Sequence, residues 1–477
     1  MNHPPSHRYE QLAELIAQMI EKGTLAAGAR LPSLRAASEQ HGVSLSTTLQ
    51  AYRLLEQRGV LTARSQSGYY VNGVRTTALA LPSMSRGRTK PSTVSISDAV
   101  THLLEHAANT SLVPLGCAVP DAALLQAARL DRTLARLART QGENANIYSA
   151  PLGEHALRQA IAQRAMRVGQ ALSADDILIT CGCTEALVLA LSAVASRGQA
   201  VAIESPTYFG LLHTLEALGL KAFELPTDPI AGVDVAALAR LLETETISAC
   251  VLSSSFNNPL GSTMPDANKR SLLALLTAHD IPLIEDDIYG DLHFGRERPK
   301  PFIALDGGAN TIYCSSFSKS IAPGYRVGWI TAGVHMARVV ERKLAFSLCS
   351  AVLPQRALAD FLATGAYDTH LRRVRRVFQE NLARMARTVE ASFPAGTKVS
   401  RPQGGFVLWL ELPRSVDTRT LFDKALERGI CFAPGDVFSA SRRFRNCLRL
   451  SAGYSWTARI ESGVRTLGSL AREALMR

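Results

Sequence analysis

Beyond Asp98 the chain alternates helical patterns with short apolar, β-branched runs, at 177–180, 200–204, 249–252, 281–285, 311–314 and 327–330. Few folds accept that rhythm. Tight hairpins join antiparallel strands, whereas strands separated by helix-length segments pair in parallel and lie buried beneath those helices. The alternation therefore predicts an α/β domain built on a large, mainly parallel sheet. Ligands of such sheets gather beyond the carboxyl ends of the strands, so the residues just past each run are where chemistry is expected.

Lys319, in Ser316-Phe317-Ser318-Lys319, follows the 311–314 run, and Arg326 comes seven residues later. A partly desolvated lysine supplies the neutral amine that a Schiff base needs, and a guanidinium suits a phosphate. The pair predicts pyridoxal 5'-phosphate. Gly182-Cys183-Thr184 opens a helix after 177–180, offering unpaired N–H groups and a hydroxyl to a phosphate. Past 281–285, the carboxylate of Asp286 suits a protonated pyridine nitrogen and Tyr289 a ring oxygen. Tyr208, past 200–204, has a ring able to stack, and Ser316 and Ser318 offer hydroxyls to oxyanions. Taken singly, each has a plainer reading: Asp286 and Asp287 as turn caps, Asn258-Pro259-Leu260-Gly261 as an ordinary turn, Tyr208 as core, Lys319 as a solvated lysine.

The N-terminal segment is of another kind. Leu12, Leu15, Ile16, Met19 and Ile20 recur at three- and four-residue steps, a buried helical stripe ended at Gly23. Ser33 caps a second helix through Gln40, and Gly42-Val43-Ser44 turns into a third, with Ser44 as its cap and Leu49, Tyr52, Leu54 and Leu55 facing inward. Runs at 60–64 and 68–71, parted by Ser65-Gln66-Ser67, predict a hairpin. As a winged helix, this module would present Leu45, Ser46, Thr47 and Thr48 to bases, with Arg35, Arg53 and Arg64 reaching phosphates. A plain helical bundle fits the same periodicity.

The 477 residues are 47% apolar, ample for packed cores, and the net charge of +11 favours a polyanionic partner or an anionic ligand. Between Val74 and Ser97 the charged residues are Arg75, Arg86, Arg88 and Lys90, with no acid; this Thr-, Ser-, Pro- and Gly-rich stretch reads as a flexible linker. Eight scattered cysteines, without a CxxC pair or a zinc-spaced His cluster, read as reduced thiols, and no metal is expected. Met1-Asn2-His3-Pro4-Pro5 lacks the features of a secretory signal, and no apolar run is long enough to span a bilayer. These observations predict a soluble, cytoplasmic protein with no membrane partner. The run Arg372, Arg373, Arg375 and Arg376 reads as a solvated helix face rather than a second DNA contact.

From Tyr9 to Val71 the chain resembles the GntR-type winged-helix domain, through Gly23-Thr24-Leu25, Gly28, Leu31-Pro32-Ser33-Leu34-Arg35, Gly42-Val43-Ser44, Ala51-Tyr52, Leu54-Leu55-Glu56, Gly59 and Ser67-Gly68-Tyr69-Tyr70-Val71. Leu45 departs from it, since many members carry arginine there. From Asp98 onward the chain resembles the fold-type I aminotransferases, which adds a smaller C-terminal α+β subdomain to the expected fold. That resemblance implies an aldimine at Lys319, Asp286 on the ring nitrogen, Asn258 and Tyr289 on the ring hydroxyl, and Tyr208 stacked. It places Gly182, Cys183, Thr184, Ser316, Ser318 and Arg326 around the phosphate. Tyr148 would reach the phosphate of a partner subunit, and Arg449 would bind an α-carboxylate beside a loop at Ala118, where many relatives have glycine nearby. The order of parts, 1–73 winged helix, 74–97 linker and 98–477 cofactor domain, resembles the MocR subfamily of GntR regulators. The resemblance implies a homodimer that binds double-stranded DNA and senses pyridoxal phosphate or an amino compound. An active aminotransferase carrying a DNA-binding module is the alternative.

Overall fold

The computed structural model describes residues 8–21, 24–25, 28–57, 60–64, 68–71, 79–87, 90–94, 98–107, 109–125, 127–308 and 310–476. They divide into two compact units, Met1–Ala78 and Leu79–Arg477. The first consists of α1 (Arg8–Glu21), α2 (Leu34–His41), α3 (Leu45–Gln57), β1 (Leu61–Arg64) and β2 (Gly68–Val71). Ser33 accepts a hydrogen bond from Ala36 N at the start of α2, and Gly42 ends that helix at φ 60°, a left-handed turn that glycine adopts without strain. β1 and β2 pair antiparallel, and residues 28–31 run along β2, with Leu31 N donating to Tyr69 O and Val71 N to Ala29 O.

Leu12, Ala13, Ile16, Ala51, Tyr52 and Leu55 close the core of this unit. Leu15, expected inside, is 45% exposed, and Ala13 is buried instead. At about 100° per residue Leu12, Ala13 and Ile16 share one face of α1, and Leu15 falls outside that stripe. The expected stop at Gly23 and the hairpin tip at 65–67 lie outside the described residues.

The strands of the second unit are β3 (Ser92–Thr93), β4 (Val113–Pro114), β5 (Leu178–Thr180), β6 (Ala200–Ser205), β7 (Lys221–Asp228), β8 (Gly232–Val233), β9 (Ala249–Leu252) and β10 (Leu283–Asp286). After them come β11 (Thr311–Ser316), β12 (Gly328–Thr331), β13 (Lys398–Val399), β14 (Val407–Glu411), β15 (Ile430–Cys431), β16 (Ala433–Pro434) and β17 (Cys447–Ser451). One sheet has the order β3-β7-β6-β9-β10-β11-β12-β5, with β8 on β7. From β7 to β11 its pairs are parallel; β12 runs antiparallel to both β11 and β5. The sheet is thus mainly parallel, and its central strands are buried on both faces: Val201, Ala202, Ile203 and Ala249 have no exposed surface. The helix Gly182–Val194 covers it with Ala186, Leu187, Leu189 and Ala190. Each large aliphatic side chain so buried stabilises the unit by about 1.5–3 kcal/mol. A smaller antiparallel sheet, β13-β14-β17-β16, carries Arg449 on β17.

The expected linker is shorter than the sequence implied. Residues 79–94, where described, belong to the second unit: Val399 N donates to Ala80 O, Ser83 N to Glu411 Oε2 over 2.6 Å, and Thr227 N to Ser85 Oγ over 2.7 Å. β3 adds a strand to the edge of the sheet at β7. A segment without apolar periodicity is held by the unpaired backbone groups of a sheet edge, which periodicity does not register. Among the described residues no helix is long and apolar enough to cross a membrane.

Candidate cofactor pocket and nucleic-acid face

The carboxyl ends of β6, β9, β10 and β11 open on one pocket of about 310 Å³. Its wall includes Cys183, Thr184, Tyr208, Asn258, Asp286, Tyr289, Ser318, Lys319, Arg326, Arg449 and Ala118, eleven positions drawn from segments far apart in sequence. Lys319 Nζ donates to the carbonyl oxygen of Ala118 over 2.7 Å. Burial, and then the charge of Arg449, bring its amine down to about 8. The Asp286 carboxyl is pushed up to about 6, chiefly by burial, although the Cys183 thiol donates to it over 3.2 Å.

Arg326 sits at φ 52°, and its guanidinium donates to Cys181 O over 3.1 Å and to Ser318 Oγ over 3.4 Å. A Cβ at Gly182 would lie 2.6 Å from Arg326 Nη2, so the helix start and the guanidinium meet only because that residue is glycine. Arg449 is fully buried: Nη1 donates to Asn258 Oδ1 over 3.0 Å, Nη2 to Gly116 O, and Nε has no partner. Burial lowers its affinity for its proton.

Three expected residues do not line the pocket: Gly182 stands against the Arg326 guanidinium, and Ser316 and Tyr148 stand elsewhere. Ser316 lines a different cavity, and its hydroxyl donates to Ser318 Oγ over 2.7 Å, which makes it a support for the loop rather than part of the pocket wall. Tyr148 is 81% exposed and takes no part in the pocket of its own chain. Sequence reasoning passes over Cys117 and Glu204, which do line it. Glu204 accepts from Ser253 N over 3.0 Å, and burial pushes its carboxyl up to about 8. An acid inside the apolar run 200–204 is the signal that could have found it.

The donor set suits pyridoxal phosphate on structural grounds. Asp286 is a half-buried carboxylate with no ion pair among the described residues, and the Tyr289 hydroxyl is buried without a partner. A protonated ring nitrogen and a ring oxygen would satisfy both.

In the N-terminal unit, Ser44 Oγ accepts from Thr47 N over 3.1 Å and lies 2.8 Å from both the Ser46 and Thr47 hydroxyls. Leu45 and Ser46 are exposed at the start of α3, and Arg35 and Arg53 are exposed as well. Thr48 corrects the expectation. It is fully buried and its hydroxyl donates to Ser44 O over 3.2 Å, because a residue one turn past the cap faces back into the helix pair. Gly68, at φ 100°, pairs with Arg64 across the hairpin; the Arg64 side chain lies outside what is described.

Residues 8–71 match the bacterial regulatory proteins of the gntR family, and residues 110–458 match the class I and II aminotransferases. Two Escherichia coli K12 proteins named as uncharacterized HTH-type transcriptional regulators, YjiR and YdcR, are similar along the whole length. YjiR is 38% identical over 98% of this chain and 99% of its own; YdcR is 39% identical over 98% and 100%. The chain belongs to the MocR subfamily of GntR-type regulators. A solved structure of LysN, an α-aminoadipate aminotransferase from Thermus thermophilus complexed with N-(5'-phosphopyridoxyl)-L-leucine, superposes with a TM-score of 0.74. It covers 80% of this chain and 96% of its own at 29% identity. A kynurenine aminotransferase from Pyrococcus horikoshii gives 0.74 at 27% identity over 80% and 95%. The MocR architecture thus joins a GntR-type DNA-binding domain to an aminotransferase-like domain of fold type I, whose cofactor is pyridoxal 5'-phosphate.

Proposed function

We propose that this regulator controls transcription by sensing pyridoxal phosphate, or an amino compound that reacts with it, at Lys319. The observation that carries this reading is the convergence of Lys319, Asp286, Asn258, Tyr289, Tyr208 and Arg326 on one pocket in a chain that also holds a winged helix. When bound, the cofactor supplies an aldehyde for amines and a ring able to withdraw electrons. Arg326, Thr184, Ser318 and the first N–H groups of the helix Gly182–Val194 bind the phosphate, with Cys183 beside it. Asp286 holds the proton of the ring nitrogen, Tyr289 and Asn258 meet the ring oxygen, and Tyr208 covers the ring face. Lys319 Nζ, its hold on the proton weakened by burial, is the amine that would join the aldehyde.

Arg449 serves the carboxylate of an incoming amino compound, since its Nε is free and Nη1 already rests on Asn258. The Ala118 carbonyl takes the Lys319 ammonium until ligand arrives, and so sets how that amine points. In the N-terminal unit, Leu45, Ser46 and Thr47 address base edges from α3, and Arg35, Arg53 and Arg64 meet phosphates, with Gly68 in the wing. The protein works on double-stranded DNA in the cytoplasm as a homodimer, a reading supported by the exposure of Tyr148 and its neighbour Ile147, 81% and 64%. Ligand alters DNA affinity only through unequal binding to two arrangements of the protein.

A second reading, an amino acid aminotransferase that carries a DNA-binding module, is favoured by the presence of both Lys319 and Arg449 in the pocket. Steady-state exchange between an amino acid and a 2-oxo acid, abolished by Lys319→Ala, would support it. Promoter binding that responds to cofactor or amine while such turnover is absent supports the regulator.

A further inference from the structure

A second cavity, of about 200 Å³, lies in the same unit as the cofactor pocket. Among the described residues Ile288 alone lines both. The wall of the second cavity is charged and unevenly paired. Asp287 accepts from Arg298 over 2.5 Å and from Tyr313 over 2.8 Å. Asp291 accepts from Arg298, Arg164 and Tyr367, and Asp368 from Arg164 and Arg167.

Three carboxylates thus face four guanidiniums, and the fourth is Arg375. Its Nε donates to the carbonyl oxygen of Asp291 over 2.7 Å, and it enters no ion pair among the described residues. Two residues of the same wall carry buried polar atoms without partners: Gln170 Nε2, a donor, and Asp287 Oδ1, an acceptor. His293, the remaining titratable group there, is held neutral, its affinity for a proton brought down to about 4 by burial and by Arg375.

From this surplus guanidinium and these two orphaned atoms we infer that the cavity binds a small molecule carrying an anionic oxygen group and a hydrogen-bond donor of its own. The anionic group rests on Arg375 and Gln170, and its donor answers Asp287 Oδ1. Hydrogen phosphate and a free amino acid share that chemistry; acetate has only the anionic half. Occupancy reaches the cofactor pocket through the turn that bears Asp286, Asp287 and Ile288, which Ser315 pins by donating to Asp287 O over 3.0 Å. The binding site stands on its own geometry, whereas its effect on the cofactor rests on the reading of Lys319 and Asp286 given above.

The test uses the full chain with pyridoxal phosphate fixed on Lys319 by borohydride, so that phosphate cannot compete at Arg326. Calorimetric titrations are run with inorganic phosphate, glycine and acetate, on the native chain, Arg375→Gln and Arg449→Lys. Saturable phosphate or glycine binding that weakens at least tenfold in Arg375→Gln and persists in Arg449→Lys supports the site, and the probe that binds identifies the source. Binding lost in Arg449→Lys but kept in Arg375→Gln, acetate binding as tightly as both other probes, or no saturable binding to the folded native chain overturns it. Thermal unfolding and circular dichroism of Arg375→Gln, with Arg375→Lys keeping the positive charge and expected to retain part of the binding, separate misfolding from loss of the ligand. A failure of cofactor attachment shows beforehand as the missing absorbance of the fixed adduct.

Discussion

Arg326 donates from Nη2 to the carbonyl oxygen of Cys181 over 3.1 Å, fixing a permanent charge at the first turn of the helix Gly182–Val194. The charge and the helix N–H groups then point at one phosphate position, and their sum exceeds what either gives singly. The arrangement depends on Gly182, whose φ of 76° and contact with the guanidinium leave no room for a side chain.

Gly182→Ala and Arg326→Ala are therefore expected to weaken pyridoxal phosphate binding by different routes. Loss of the charged hydrogen bonds in Arg326→Ala removes about 1.5–3 kcal/mol, roughly a 10- to 150-fold rise in Kd. Gly182→Ala strains the backbone by about 1–2 kcal/mol as well, so its thermal midpoint falls along with its affinity. Absorbance titration and thermal unfolding check both, and unchanged affinity in Gly182→Ala contradicts the described cup.

The rate of covalent attachment should follow the Lys319 amine. With its pKa depressed to about 8, the neutral fraction grows with pH, reaches half at about that value and is nearly complete about one unit above it. The near-visible band should appear about tenfold faster for each pH unit gained below 8, then level off. Equilibrium affinity should drop as pH falls through about 6, where the Asp286 carboxyl takes up a proton and loses its hold on a pyridinium. Stopped-flow mixing across pH 5–9 measures both limbs, and a flat profile contradicts the assigned roles.

The start of α3 gives a charge prediction. Leu45 is 49% exposed there, so Leu45→Arg should put one more cation on the DNA face, strengthen binding and steepen the slope of log K against log salt by up to about 0.9. Thr48→Val keeps the volume and removes the bond to Ser44 O; it should lower stability by about 1 kcal/mol and leave that slope unchanged. A changed slope in Thr48→Val would restore this residue to the DNA face.

The two units should also fail separately. Arg35 is exposed on the N-terminal unit, so Arg35→Ala is expected to weaken operator binding several-fold and to leave the spectrum of bound cofactor intact. Fluorescence anisotropy and absorbance on one preparation decide it, and joint loss of both contradicts independent modules.

Much of this architecture is legible in the amino-acid sequence because the informative residues obey local rules. The runs 249–252 and 311–314 are apolar enough to show as buried strands, and Ser33 and Gly42 mark both ends of α2. β7 is hidden there, since Pro226 and the acids Glu224 and Asp228 interrupt it, and only pairing with β6 makes it a strand. The described residues of 79–94 mislead for a related reason: their order comes from groups such as Glu411 and Thr227, distant in sequence. In the pocket, Lys319 and Arg326 announce themselves through chemistry, whereas Ser316 is misassigned because motif position does not tell which way a hydroxyl turns. Arg375 belongs to a basic stretch that reads as solvated, and tertiary packing alone turns it toward a cavity.

Operator affinity of the native chain and of Lys319→Ala, each with no addition, with pyridoxal phosphate, and with pyridoxal phosphate plus an amino acid, tests the whole account most directly. The native chain should change its Kd at least fivefold on one of these additions, and Lys319→Ala should hold the same Kd throughout. Equal responses in both proteins, or none in the native chain while cofactor is fixed on Lys319, would contradict it.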